Sequence, residues 1–284
     1  RGQRQRCLRD RYRVVEREPL AFFYRGVRIV SAPPPSSGGI AIANMLNILD
    51  GFDLSQFDGA TRKHLIVEAM RHAFRDRAEY LGDTDFVDVP VELLMSPAYA
   101  AGQRNSIRMD RAMPSAALAD VVPPSATGAN TTHFSVLDRD GNRVAGTMTI
   151  NTWYGSAFMA PGTGVILNNE MDDFSIKPKV PNSFELIGSN ANAIAPYKRP
   201  LSSMSPTFLE GRRGIAIVGT PGGSRIISMV LLATLAWMDG APADDIVAMK
   251  RFHHQYLPDA ISFEAGAFQG REKAGRGAVP CNHL

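Results

Sequence analysis

Cysteine is scarce in this chain of 284 residues: Cys7 and Cys281 are the only two, and they stand near opposite ends. Two cysteines this far apart make neither a CxxC pair nor the spacing of a zinc site. The cysteine content therefore fixes neither the redox compartment nor the catalytic class.

A strong excess of one charge is also missing. The 31 lysines and arginines and the 28 aspartates and glutamates leave a formal net charge of +3. The visible basic cluster is the arginine-rich start, residues 1–13, which has no aromatic beyond Tyr12 and no base-reading module after it. We interpret it as a solvated or disordered end and expect no nucleic-acid partner.

Long apolar runs are absent as well. The longest, residues 226–237, has the length of a buried helix and falls short of a membrane span. The first residues carry no apolar core of a secretory signal. This does not decide the compartment, because we expect, for reasons given below, that upstream sequence is missing.

The upstream half shows a change from strand to helix patterns. Residues 14–32 are rich in β-branched and aromatic side chains around Arg25-Gly26, which predicts two strands and a turn. In PPPSSGG at 33–39 the prolines remove amide donors and the glycines permit unusual dihedral angles, which predicts a rigid loop that caps the next helix. Helical spacing of apolar residues predicts helices over 40–49 and 61–80.

The downstream half begins after residues 111–130, an Ala-, Pro-, Ser- and Gly-rich stretch that we interpret as a flexible segment that tolerates cleavage. Asp140-Gly141 predicts a β-hairpin, and short apolar runs predict buried strands. The predicted strands are 132–137, 143–150, 165–167 and 215–218, and the predicted helices are 226–238 and 243–250. Together the elements predict an α+β or layered αββα fold.

Thr131 stands where this segment meets the first downstream strand. A threonine hydroxyl is a poor nucleophile without a base beside it. If the peptide bond after Asn130 is cut, the freed α-amine of Thr131 can act as that base. Taken alone, this signal is weak, because Thr131-Thr132 is ordinarily explained as a strand that opens with residues of high β-propensity.

Several motifs together resemble the γ-glutamyltransferase family, which belongs to the N-terminal-nucleophile hydrolases. They are YRGVRIVSAPPPSSGGI at 24–40, EAMRHAFRDRAEYLGDTDF at 68–86, TTHFSVLDRDGN at 131–142, TMTINTWYGS at 147–156, GVILNNEMDDFS at 164–175, KRPLSSMSPT at 198–207, GTPGGSRI at 219–226 and RFHHQYLP at 251–258. Motifs in this order are far more specific than any one alone. The resemblance implies an N-terminal-nucleophile αββα sandwich, here incomplete because the N-terminal part of the large subunit is missing.

The resemblance implies a division of the chain at the nucleophile. Residues 1–130 would be the C-terminal part of a large subunit, and residues 131–284 a small subunit released by autocatalytic cleavage before Thr131. Thr131 would then form an acyl-enzyme with glutathione or another γ-glutamyl compound. The acyl group would pass to water or to an amino-acid or dipeptide acceptor.

The resemblance also implies roles for other residues. Thr149 would hydrogen-bond the nucleophile, and the backbone N–H groups of Gly222 and Gly223 would form an oxyanion hole. Glu170 and Asp173, whose carboxylates suit an ammonium group, would bind the substrate α-amine with help from Asn151. The α-carboxylate would be bound by Ser202 and Ser203. Glu170 stands where the family often has glutamine.

Two further expectations concern what surrounds the site. Residues 176–197 resemble a lid loop that some members carry over the pocket. The family also has an arginine that clamps the substrate carboxylate, but it lies upstream of the matched region and no residue here corresponds to it. Residues 1–9 and those after 268 lose the family's character, which we interpret as a shifted reading frame or a wrong gene boundary.

Three histidines invite a catalytic or metal-binding interpretation. We expect His133 to point away from the nucleophile, on the opposite face of its strand. His253 and His254 are expected on a loop without carboxylates at ligand spacing. We interpret all three as structural and expect no metal or other cofactor.

Alternative functions remain open. A cephalosporin or glutaryl acylase would share the scaffold, but a glutaryl group has no ammonium for Glu170 and Asp173 to bind. A glycosidase could use paired carboxylates, although nothing else here predicts a sugar site. An inactive, poorly soluble remnant is the third alternative, because the missing segment would leave apolar faces uncovered.

The resemblance also implies a periplasmic or extracellular location.

Overall fold

The computed structural model describes residues 13–118 and 131–268, and the backbone of 281–283. Its strands are β1 (Leu20–Tyr24), β2 (Val27–Ser31), β3 (Thr131–Leu137), β4 (Arg143–Thr149), β5 (Thr207–Gly211), β6 (Gly214–Val218), β7 (Phe252–His253), β8 (Ile261–Phe263) and β9 (Cys281–His283). Its α-helices are α1 (Gly38–Leu49), α2 (Gly59–Tyr80), α3 (Val91–Leu94), α4 (Pro97–Arg104), α5 (Arg225–Met238) and α6 (Ala243–Ala248).

The central sheet is antiparallel and has the strand order β1-β2-β5-β6. Its middle pair joins β2 to β5, where Ile29 lies opposite Leu209 and both side chains are fully buried. Helices α1, α2 and α5 contribute most of the apolar core beside this sheet. Because β2 precedes the predicted cleavage site and β5 follows it, the parts 1–130 and 131–284 share one sheet and one core.

The prediction of helix α1 is confirmed, but the reason for its glycines is different from the one expected. Neither Gly38 nor Gly39 has a positive φ, and both lie in the first turn of the helix. A Cβ at Gly38 would lie 1.9 Å from Ser205 Oγ, and one at Gly39 would lie 2.5 Å from the Ala32 carbonyl oxygen. These glycines permit close packing of the helix start rather than unusual dihedral angles.

The hairpin β3–β4 is also confirmed, with Thr131 directly opposite Thr149. Asp138 forms its turn by accepting hydrogen bonds from the backbone N–H groups of Asp140 and Asn142 at 2.9 and 2.8 Å. Strand β4 of the hairpin contacts β6. One face is polar and carries Thr131 and Thr149. The other face carries exposed apolar side chains: Phe134, Val136, Val144 and Met148.

Several predictions about apolar segments were wrong. Residues 165–167 form no strand; Val165 is 55% exposed, and a single bridge joins Ile166 to Met159. The strand at 215–218 exists, but it is the sheet edge, and Ile215 is 52% exposed rather than buried. Within the described ranges, no helix has the length and apolarity required to cross a membrane.

Candidate functional site

The site is built around a hydroxyl pair at the end of the hairpin. Thr131 Oγ1 donates a hydrogen bond to Thr149 Oγ1 at 3.2 Å. Thr149 Oγ1 also accepts from the backbone N–H of Asn151 at 2.8 Å. With two donors directed at this oxygen, the Thr149 proton is donated in turn to the Glu170 carboxylate. A hydrogen-bond chain therefore joins the hydroxyl of Thr131 to Glu170.

Asn151 connects the hairpin to the loop that carries Glu170. It is 2% exposed and has a φ of 73°, a conformation that asparagine tolerates better than most residues. Its Nδ2 donates to the carbonyl of Asn169 at 3.1 Å. Asn169 Oδ1 in turn accepts from the backbone N–H of Thr152 at 3.1 Å. These bonds fix the acidic turn beside the end of β4.

Glu170 and Asp173 lie on one short 3-10 turn, Glu170–Asp173, and their side chains are hydrogen-bonded to each other. Burial and the adjacent charge of Glu170 together raise the pKa of Asp173 to about 8, although Arg77 opposes the shift. Burial also raises the pKa of Glu170, whose Oε1 is buried and has no hydrogen-bond partner. Two carboxyls this close share a proton readily, and an ammonium group could replace that proton.

The serine pair lies near Asp173 in the structure. Ser203 Oγ accepts a hydrogen bond from Arg77 Nη2 at 3.2 Å, and Ser202 Oγ accepts from the backbone N–H of Met204 at 3.1 Å. Because both oxygens act as acceptors toward the protein, both hydroxyl protons remain available for donation.

Gly222 and Gly223 lie in the turn just before helix α5. Their φ values of 140° and 58° lie in the region that favours glycine. A Cβ at Gly223 would lie 2.6 Å from Cδ1 of Phe184. Phe184 belongs to the segment 176–197, so part of the predicted lid loop does lie over this turn.

The structure brings most of the predicted residues to one cavity of about 20 Å³. Those that line it are Thr131, Thr149, Asn151, Asp173, Ser202, Ser203 and Gly223. Glu170 does not line the cavity but hydrogen-bonds Thr149 and Asp173, which do. Gly222 does not line it either, although it directly precedes Gly223 in the sequence. A cavity of this size holds about one water molecule, and Phe184 of the segment 176–197 is among the residues that line it. A larger cavity, about 580 Å³, lies between β6 and helices α5 and α6 and contains none of these residues.

Arg77 is a charged residue near the site to which the sequence analysis assigned no role. It lies on α2, is 5% exposed and donates to Ser203. The sequence contains a signal for it, because Ala73 and Phe74 lie four and three positions earlier on the buried face of the same helix. The side chain of an arginine on such a face is rarely exposed to solvent.

The expectation for His133 was wrong in one respect. His133 lies two residues after Thr131 and therefore on the same face of β3, opposite Thr147. Its ring nitrogens hydrogen-bond the hydroxyls of Thr147 and Ser135, at 2.8 and 3.2 Å, rather than that of Thr131. It therefore extends the polar face without contacting the hydroxyl of Thr131.

The other two histidines lie deep in the structure rather than on a loop surface. His253 is in β7 and contacts Ser228 Oγ at 2.7 Å, and His254 contacts Asp259 Oδ1 at 3.2 Å. Burial lowers the pKa of His253 to about 3 and that of His254 to about 4, so both are neutral. In the described part of the chain, no three histidine, cysteine, aspartate or glutamate side chains are grouped to hold a metal ion.

The fold, in which a threonine opens a strand beside a glycine turn, is that of the N-terminal-nucleophile hydrolases. The Gamma-glutamyltranspeptidase family profile matches residues 9–275, and the chain belongs to this family.

Individual relatives agree with this assignment. A glutathione hydrolase proenzyme of Pseudomonas sp. (strain A14) is 45% identical over 97% of this chain and 50% of that protein. One from Escherichia coli (strain K12) is 46% identical over 90% of this chain and 45% of that protein. A cephalosporin acylase structure from Bacillus halodurans has a TM-score of 0.78 at 25% identity, covering 96% of this chain and 47% of that one. The chain thus spans about half the length of the curated relatives it matches.

Proposed function

We propose that the protein transfers γ-glutamyl groups from glutathione and related compounds to water or to an amino-acid or dipeptide acceptor, through an acyl-enzyme on Thr131. The observation that carries the proposal is the convergence on one cavity of a strand-opening threonine, a carboxyl pair and a serine pair. This set offers a nucleophile, an ammonium acceptor and donors for a carboxylate.

Self-cleavage comes first in the proposed sequence of events. The Thr131 hydroxyl attacks the carbonyl carbon of residue 130, and the peptide bond is replaced by an ester as the acyl group moves from nitrogen to oxygen. This shift frees the α-amine of Thr131. Water then hydrolyses the ester, which releases residue 130 as a carboxylate and restores the Thr131 hydroxyl. Residue 130 lies outside the described residues, whereas the hydroxyl pair of Thr131 and Thr149 is in place.

Catalysis then uses the freed amine as the base. It accepts the Thr131 hydroxyl proton while Oγ1 attacks the γ-carbonyl carbon, and the N–H groups of Gly222 and Gly223 stabilise the oxyanion. The amine returns the proton to the leaving group, and the acyl-enzyme reacts with water or an amine acceptor. Thr149 keeps Oγ1 in position, because its own proton is engaged by Glu170.

The decisive test is turnover of a chromogenic γ-glutamyl anilide together with mass spectrometry. We expect a product that begins at Thr131, and we expect Thr131→Ala to stay uncut and inactive. Thr132→Ala is the matched control, because Thr132 lies on the opposite, outer face of the same strand. Cleavage of the Thr131→Ala variant at the same bond would sink the nucleophile assignment.

An acylase of the cephalosporin type is the second candidate, favoured by the similarity to the Bacillus halodurans structure. The two functions differ at the ammonium site. For a γ-glutamyl enzyme, Asp173→Asn should lower kcat/KM for γ-glutamyl anilide by about 10- to 100-fold, since a charge-assisted hydrogen bond contributes about 1.5–3 kcal/mol. Glutaryl anilide, which lacks the amine, should lose much less. Equal losses would favour the acylase or a structural role for Asp173.

A further inference from the structure

A buried arginine lies directly behind the serine pair. Arg77 is 5% exposed, and burial lowers its pKa only to about 10, so it is charged at neutral pH. Its hydrogen bonds go to hydroxyls: Nε donates to Ser37 Oγ at 3.0 Å and Nη2 donates to Ser203 Oγ at 3.2 Å. The carboxylate whose charge acts on it is Asp173, which forms no ion pair with it. Among the described residues, the Arg77 side chain hydrogen-bonds only hydroxyls. A buried cation without an ion-pair partner is costly for stability, which indicates a functional reason for it.

The chemistry of the guanidinium fixes the direction of both hydroxyls. Arginine has donors only, so the oxygens of Ser37 and Ser203 must accept from it. Ser37 then donates its own proton to the carbonyl of Ser202 at 2.7 Å. Ser203 finds no acceptor for its proton among the described residues, and it lines the site cavity. Its proton is therefore directed toward whatever occupies that cavity.

The backbone around the serine pair is held by the same neighbours. The Ser202 N–H donates to the carbonyl of Pro35, and the Ser37 N–H donates to the carbonyl of Ser202, both at 2.8 Å. Two backbone hydrogen bonds from the segment before helix α1 thus hold Ser202 in place. Arg77 on helix α2 holds the side chain of the adjacent Ser203. Three separate segments of the chain meet at this point.

We propose that Arg77 is a positioning residue that acts through Ser203 on a substrate carboxylate and through space on Asp173, which rests on the proposed γ-glutamyl function. A hydroxyl that accepts from a cation becomes a stronger donor, because hydrogen bonds in a chain polarise one another. The same charge favours the ionised form of Asp173. Arg77 thus links the carboxylate and ammonium halves of the site, and it does so without contacting the substrate.

The test compares Arg77→Met, Arg77→Lys and the wild type in the full chain. Binding is measured by calorimetry with L-glutamate and with 4-aminobutyrate, which keeps the ammonium and lacks the α-carboxylate. For Arg77→Met we expect the preference for L-glutamate to fall about tenfold, the size of one charge-assisted hydrogen bond. In Arg77→Met, the pH above which the two ligands bind more tightly should rise. Without the positive charge of Arg77, Asp173 ionises less readily. Arg77→Lys should restore the pH behaviour and only part of the preference.

A merely structural arginine would give a different pattern. Equal weakening for both ligands with an unmoved pH profile would overturn the proposal. If Arg77→Met does not fold, Arg77→Lys is compared alone and in combination with Ser203→Ala. Arg77→Lys should reduce the preference for L-glutamate when Ser203 is present. It should have no further effect when it is introduced into the Ser203→Ala variant. Additive effects would overturn the proposal. These are binding measurements, so a wild type that binds L-glutamate without turning over γ-glutamyl anilide would refute the proposed function and leave this inference standing.

Discussion

At the residue scale, Asp173 has an ionisation suited to recognising a cation. With its pKa raised to about 8, it is largely protonated at neutral pH. A substrate ammonium must therefore displace a proton, so we expect KM for γ-glutamyl anilide to fall as the pH rises from 6 to 8. Glu170→Gln removes the adjacent negative charge and should move this profile to lower pH. Glutaryl anilide serves as the control and should show neither dependence.

This prediction is checked by steady-state kinetics across that pH range. A KM that stays constant for γ-glutamyl anilide, or that rises with pH, would mean that Asp173 is already ionised or does not face the substrate amine. A Glu170→Gln profile identical to the wild type would show that the two carboxyls are not coupled.

At the element scale, the lid loop is attached to the site at two points. Asp172 Oδ2 accepts from the backbone N–H of Ser183 at 2.9 Å, and Gln255 Nε2 donates to the carbonyl of Phe184 at 2.9 Å. Between these points the Phe184 ring lies against Gly223. We expect Phe184→Ala to admit water to the acyl-enzyme and to raise the ratio of hydrolysis to transfer.

The ratio is measured as free glutamate against γ-glutamyl dipeptide in the presence of an acceptor. Phe158→Ala is the matched control, because Phe158 is 53% exposed and does not line the cavity. An unchanged ratio for Phe184→Ala would contradict a covering role for the ring.

Elements differed in how well the sequence could predict them. Helices α1, α2 and α5 have long runs with helical spacing, so both their existence and approximate bounds could be predicted. The run 165–167 was mispredicted because three apolar residues do not distinguish a strand from an exposed loop. Helix α4 was missed, although Ser96 and Pro97 form a recognisable start, with Ser96 Oγ accepting from the N–H of Tyr99.

The site residues themselves were chosen through family resemblance, and their convergence required the fold. No local pattern places Asp173 and Thr149 in the same cavity, because a long segment without a regular strand or α-helix separates them. The role of Arg77 depends on Ser37 and Ser203, which are 40 and 126 positions away in the sequence. Contacts of that separation cannot be predicted from local spacing.

At the scale of the whole molecule, a buried ionic cluster joins the two parts of the chain. Arg71 in α2 is fully buried and contacts Ser115 and Asp259, and Asp259 also accepts from the backbone N–H of Ser115 at 2.7 Å. Burial opposes ionisation of Asp259, but hydrogen bonds from His254, Ser115 and Arg71 outweigh it and hold the pKa of Asp259 well below its usual range. The stabilisation is therefore present above the ordinary aspartate pKa and is lost as the pH falls toward the lower, folded value.

We expect the two cleavage products to remain associated at neutral pH and Asp259→Asn to weaken that association. Removing one partner of a fully buried ion pair costs about 3–5 kcal/mol, and we expect a smaller loss here because the Asp259 side chain is 33% exposed. Size-exclusion chromatography in increasing urea measures the effect, and Asp244→Asn on the short helix α6 is the control. Products of the wild type that separate without denaturant would contradict the shared core.

The pairing of β2 with β5 has a kinetic consequence. Before cleavage, the two strands belong to one covalent chain, and refolding from urea is a unimolecular process. After cleavage they belong to separate molecules, so recovery of the sheet becomes a second-order reaction whose rate depends on protein concentration. The uncut Thr131→Ala chain should refold at a rate independent of dilution, whereas the processed protein should refold more slowly as it is diluted. Proteolysis at a single bond would thus convert an intramolecular folding reaction into one that requires two separate chains to associate.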